Sequence, residues 1–122
     1  MNPSKLIAAA AVTVLLAGCA FQNKYEKDAE MVTRAVIAND LSPVKKDIAP
    51  GINITRVKVA EWSDELSQQG KLESLKETTE NCPPATHCFN VKFEKGNYTE
   101  LLRLDDNSKI TYWWFHRVEN GG

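Results

Sequence analysis

Apolar residues fall at Tyr25, Ala29, Val32 and Val36, with Ile37 beside them, while Glu26, Lys27, Glu30 and Arg34 occupy the other side. This spacing is that of one helix face, and it predicts a helix from Tyr25 to Asn39 that stops at Asn39-Asp40. Ser42-Pro43 restarts the chain, with serine as N-cap and proline in the first turn. Val44 and Ile48 then make a short second helix, closed by Pro50-Gly51. Ile52 to Leu66 carries two patterns at once. Thr55, Val59, Trp62 and Leu66 fit a helical stripe, whereas Ile52, Ile54, Val57 and Val59 are strand-like in type and partly alternate. The continuation "EWSDELSQQG" favours a helix from about Asn53 to Gln69, with Gly70 as its C-terminal signal. Lys71 to Asn81 is expected to be a strand, although Leu72 and Leu75 would also suit a helix running on through Gly70.

The last third alternates more plainly. In "HCFNVKFEKG", Phe89, Val91 and Phe93 alternate with Asn90, Lys92 and Glu94, which is the pattern of a half-buried strand. Lys95-Gly96-Asn97 reads as a turn, "YTELLRLDD" as the next strand, Asp106-Asn107-Ser108 as a second turn and "KITYWWFHRVE" as the last strand. The expected fold is therefore α+β: N-terminal helices packed on a curved four-stranded antiparallel meander. Residues 25–119 form the single expected domain, and Asn120-Gly121-Gly122 a flexible tail.

The N-terminus has a different character. Lys5 is the only charge before an uncharged, almost wholly apolar run from Leu6 to Ala17. As a helix that run spans about 18 Å, short of the roughly 30 Å of a bilayer core. It reads as the apolar region of a signal peptide. Leu16-Ala17-Gly18-Cys19 follows, and this stretch resembles the lipobox of bacterial lipoproteins. The resemblance implies a diacylglyceryl group on the Cys19 sulfur, removal of residues 1–18, and a tether over residues 19–24. Two or three acyl chains on one residue hold a protein to a membrane durably, since each buried methylene contributes about 0.8 kcal/mol. Ala20 stands where, in the enterobacterial pattern, an aspartate marks retention at the inner membrane. In a Gram-negative host this implies the periplasmic face of the outer membrane.

Charge changes the picture little. The 122 residues carry fifteen Lys/Arg and sixteen Asp/Glu, a net charge of −1, which gives no electrostatic reason to expect nucleic acid. Once Cys19 is acylated, Cys82 and Cys88 in "CPPATHC" are the two free cysteines. An exported protein meets an oxidising compartment, so a Cys82–Cys88 disulfide is expected. Closing so short a loop is worth about 2 kcal/mol in the chain-entropy model, less where Pro83 and Pro84 already stiffen it. The competing use, a metal held by Cys82, His87 and Cys88, lacks a fourth ligand and places His and Cys side by side. No cofactor and no metal is expected.

The helix ending in "AND", then "QQGKLESLK", then "HCFNVKFEKGNYTELLRLDDNSKITYWWFHRV" resembles the nuclear transport factor 2-like superfamily, called cystatin-like in its bacterial lipoprotein branches. The resemblance implies a conical fold with a pocket between helices and sheet. Its members include enzymes, binding modules and assembly parts, so the fold carries little functional weight.

Candidate chemistry concentrates in "TYWWFHR". In a strand, Tyr112, Trp114 and His116 face one way, and Thr111, Trp113, Phe115 and Arg117 the other. With Trp62 on the preceding helix, Tyr112, Trp113, Trp114 and His116 form the candidate binding patch. The bland alternative is a two-sided core strand with one partly exposed tryptophan. His116 is by residue type a candidate general base, but no serine or cysteine has a nucleophile's setting, and Asp105-Asp106 belongs to turn chemistry. No catalytic residue is assigned. The expectation is a lipid-anchored, non-catalytic binding or assembly module with the bilayer and an envelope protein as partners. The alternatives are a small-molecule-binding or catalytic domain, predicting an enclosed cavity around His116 or a carboxylate, and an inhibitor of a secreted hydrolase acting through the Cys82–Cys88 loop and His87.

Overall fold

The computed structural model describes residues 22–52 and 54–119. Helix α1 spans Lys24–Ile37. A 3-10 helix, Ser42–Asp47, follows it, and helix α2 spans Arg56–Ser67. Four strands complete the chain: β1 Leu72–Thr78, β2 His87–Phe93, β3 Asn97–Leu104 and β4 Ile110–Arg117. They form one antiparallel sheet in the order β1-β2-β3-β4. The helices pack against one of its faces. The fold is thus α+β, a four-stranded meander carrying its helices on one side. Residues 1–21, with Cys19 and the expected signal peptide, and residues 120–122, the expected tail, lie outside the described residues.

Helix α1 begins where its first turn is chemically closed. The Asn23 side chain accepts the Glu26 N–H at 2.7 Å, and Glu26 Oε1 accepts the Asn23 N–H at 3.1 Å. This reciprocal pair satisfies two otherwise orphaned donors. The other Glu26 oxygen accepts the Glu77 N–H of β1 at 2.8 Å, so the cap also fastens the helix to the sheet. Ala29, Val32, Thr33, Ala35 and Val36 are buried along the predicted stripe. Asn39, at φ 56°, ends the helix in the left-handed region that asparagine tolerates.

The restart differs from expectation by one residue. Leu41 is the N-cap and Ser42 the first helical position, with the Asp40 carboxylate accepting the Ser42 N–H at 3.0 Å. Helix α2 is shorter at both ends than predicted: Thr55 is its N-cap, accepting the Lys58 N–H at 3.1 Å. Gly70 ends the helical run decisively. Its φ is 82°, and a Cβ there would lie 2.5 Å from Glu94 Oε1, the oxygen that accepts the Lys71 N–H at 2.7 Å. Leu72 therefore enters a strand.

Two bulges shape the sheet. On β1, Leu72 pairs with Phe93 but Ser74 pairs with Lys92. On β4, Tyr112 pairs with Arg103 but Ile110 pairs with Leu104. An extra residue in one strand reverses the alternation across it. Leu72 and Leu75 consequently both reach the core, as do Ile110 and Trp113. The inner face otherwise alternates regularly, with Phe89, Val91 and Phe93 on β2 and Tyr98, Glu100 and Leu102 on β3 buried. Each large apolar side chain so buried is worth about 1.5–3 kcal/mol. The end of α2 is tied down by polar contacts: the Tyr98 hydroxyl donates to Glu65 Oε2 at 2.7 Å and accepts from Arg117 Nη1 at 3.1 Å. Burial, then the Glu65 carboxylate, push the Tyr98 phenol up to about 12. Cys82 and Cys88 are bridged, with Cα atoms 5.8 Å apart, closing the β1–β2 loop.

Candidate functional site

The outer face of the sheet is where the predicted patch residues diverge. Trp113 is 6 % exposed and belongs to the core, edge-on to Phe115 with ring centroids 5.8 Å apart. It offers no binding surface. Trp114, one step along β4, points to the other side and is half-buried. Its cross-strand partner is Leu101, which in turn pairs with Cys88. Tyr112, 40 % exposed, pairs with Arg103, and His116 pairs with Thr99. The outer face thus carries a short apolar row, Leu101–Trp114, between Tyr112 on one side and His116 on the other.

Helix α2 reaches this row around the edge of β4. The Trp62 ring lies edge-on to Trp114 at 5.6 Å and tilted against Phe115 at 5.3 Å, so it touches one residue of each face. Lys58 Nζ sits 4.7 Å above the Trp114 ring, and the Arg103 guanidinium lies 5.3 Å above that of Tyr112. Cations over aromatic faces at these distances are attracted by the ring quadrupole. The structure therefore gathers Trp62, Trp114 and Tyr112 with two cations at one edge of the sheet, and separates Trp113 from them. His116 is exposed.

The one acid deep in the fold is Glu100, and the expectations from sequence missed it. It is 0 % exposed, flanked across the strands by Phe89 and Phe115. Burial drives its carboxyl well above the ordinary carboxylate range, opposed only by a hydrogen bond with Thr33. Thr33 Oγ1 lies 2.7 Å from Glu100 Oε1 and 2.8 Å from the Ala29 carbonyl. Threonine has a single hydroxyl hydrogen. A protonated Glu100 donates to Thr33, which donates onward to Ala29, and both contacts are then satisfied. Glu100 Oε2 has no partner, a lesser cost for a neutral carbonyl oxygen than for a buried charge. Alternation held the signal: Tyr98 and Leu102 face inward, so Glu100 between them must too.

The disulfide loop presents less than its sequence suggested. The His87 ring stacks on Tyr25 at 3.9 Å, and its Nδ1 lies 3.0 Å from Glu77 Oε2. Glu77 Oε1 accepts from Asn23 Nδ2 at 3.0 Å. His87 is thus engaged with the start of α1 and with β1. Among the described residues no group of three His, Cys, Asp or Glu side chains is placed to hold a metal ion. No described helix is long and apolar enough to cross a membrane.

A concavity exists, but away from all of these groups. It lies between the 3-10 helix, residues 48–52, Ile54 and the first half of α2, and no aromatic residue among the described residues lines it. No protein-family model, no curated protein and no solved structure matches the chain.

Proposed function

We propose that the chain is an envelope lipoprotein, held through acylated Cys19 at the periplasmic face of the outer membrane, whose folded part is a non-catalytic binding or assembly module. The observation that carries the binding role is the Trp62–Trp114–Tyr112 edge with Lys58 and Arg103. Aromatic residues backed by cations are the groups that anchor protein interfaces, because they bury large area at small entropic cost. Leu101 and Trp114 continue that surface over the outer face. The anchor rests on Leu16-Ala17-Gly18-Cys19. The resemblance to cystatin-like lipoprotein domains agrees with helices preceding a four-stranded meander, and adds nothing about the partner. A non-catalytic role is supported by the setting of the titratable groups: Glu100 is sealed among core side chains, and His116 stands alone on the surface.

Two measurements test the two halves separately. Membrane fractionation of Cys19→Ala should move the protein to the soluble periplasmic fraction with its melting temperature unchanged; retention on the membrane would sink the anchor. A photoreactive side chain at Tyr112 should crosslink to an envelope polypeptide far more than one at Lys27, which is exposed on α1. Trp114→Ala should suppress that crosslink. Equal yields at the two positions would remove the binding edge.

A further inference from the structure

The concavity beside α2 is a trough of about 970 Å³. Its apolar surface comes from Leu41, Ile48, Ile52, Ile54 and Val57. Val57 keeps 70 % of its surface exposed there, although it sits on a helix that buries its neighbour Val59. A volume of this size lies at the upper end of small-molecule sites, about 300–1,000 Å³. Protein partners more often meet flat surfaces, such as the outer face of this sheet.

Three features define what would fill the trough. Its apolar lining is aliphatic, with no ring on which a base or a sugar could stack. Its polar residues, including Asn39, Ser42, Lys45 and Arg56, are all exposed, so none is buried where it would recognise a polar ligand body. The charges at its rim are unbalanced. Lys45 and Arg56 join no ion pair among the described residues. The one acid of the lining, Asp40, is turned to Ser42, whose side chain and then backbone N–H hold its carboxyl below the usual range. An aliphatic body with one anionic end complements all three.

We propose that this trough binds a long-chain fatty acid, its acyl chain on the Ile48–Ile54 side and its carboxylate at Lys45 and Arg56. The site is independent of the aromatic edge and of Cys19. Affinity should rise about fourfold for each methylene that the trough covers, the increment of transferring one methylene out of water. Both cations are exposed, so together they should contribute about tenfold.

The test uses the full chain in zwitterionic phospholipid vesicles, with hexadecanoic acid carrying a diazirine as the probe. After irradiation, peptide mass spectrometry should locate the label within residues 41–60. Unlabelled hexadecanoate should compete, dodecanoate less and octanoate least. Lys45→Glu combined with Arg56→Glu should cut labelling at low probe concentration by about tenfold. Ala60→Trp, which fills the trough from an exposed helical position, should abolish it. A preserved melting transition shows that each variant folds; Val57→Asp, at a largely exposed position, replaces any that does not and should also lose the label. Label spread over the whole surface, or a methyl ester that competes as well as the free acid, would overturn the proposal. So would crosslinks from the trough to another polypeptide in place of the lipid, which would make it a protein-docking groove.

Discussion

The two faces of the sheet use the same residue types for opposite purposes. On the inner face, Trp113 and Phe115 pack with Phe89, Val91 and Leu102 into the core beneath α1. On the outer face, Trp114 and Tyr112 stay partly in water, steadied by Lys58 and Arg103 rather than by burial. Among the described residues the inner face buries one acid, Glu100, and burial there pushes its carboxyl well above the ordinary carboxylate range. The outer face accepts charge freely, with Lys92, Arg103 and His116 exposed. An aromatic residue is structural or available for binding according to the side of the strand it occupies, and neighbouring tryptophans differ in that alone.

The sharpest way to break this contrast is to truncate those neighbours. Trp113→Ala should cost about 3–5 kcal/mol in urea denaturation, the range for a large side chain lost from a packed core. Trp114→Ala should cost no more than about 1–2 kcal/mol, since it removes an edge-on aromatic contact and partial burial. Comparable losses in the two would mean that both are core and would dissolve the outer patch.

Glu100→Gln probes the inner face by pH. Burial raises the folded pKa above the unfolded value of 4.5. The folded state therefore binds more protons than the unfolded one as pH rises above that value, and stability falls until the folded pKa is passed. Glutamine cannot ionise and keeps a donor for Thr33. The variant should lack this component of the decline, so its stability relative to the parent should grow as pH rises above 4.5. A difference independent of pH would show that Glu100 is charged, or its environment wet.

Smaller effects complete the series. Tyr98→Phe removes the hydroxyl that bonds both Glu65 and Arg117 and should cost about 1–2 kcal/mol, since each such bond is worth roughly 0.5–1.5 kcal/mol. His116→Ala, on the exposed outer face, should change stability by less than about 0.5 kcal/mol. A larger loss there would show that the outer face is covered.

Much of this architecture was legible because two periodicities are hard to confuse over long stretches. The α1 stripe and the Phe89–Val91–Phe93 alternation each repeat often enough to identify the element and its buried face. Ambiguity arose where the repeat was broken. Leu72 and Leu75 are three apart, a helical spacing, yet lie in a strand because the bulge between Leu72 and Ser74 brings both to the core. Ile110 and Trp113 share that spacing for the same reason. The expected helix began at about Asn53 because "EWSDELSQQG" continues helically; it begins only after the Thr55 cap, and Ile52 and Ile54 line the trough. At the candidate site, strand alternation already separated Trp113 from Trp114. The sequence groups Trp62 with both tryptophans; which of the two it would touch on the outer face, and that two cations would lie over the rings, had no sequence signal, because those residues are brought together from separate elements.

The sequence by itself determined the element order, the inward residues of β2, the two-sided character of β4 and the pairing available to Cys82 and Cys88. These are consequences of local periodicity and of the short spacing between the two cysteines. Tertiary structure alone decided which tryptophan the core would take, that the Glu100 carboxyl would be sealed away from water, and that a trough with Lys45 and Arg56 at its rim would open beside α2. Burial depends on what the rest of the chain places against a residue. A side chain's charge state and its availability to a ligand follow from that placement rather than from its neighbours in sequence.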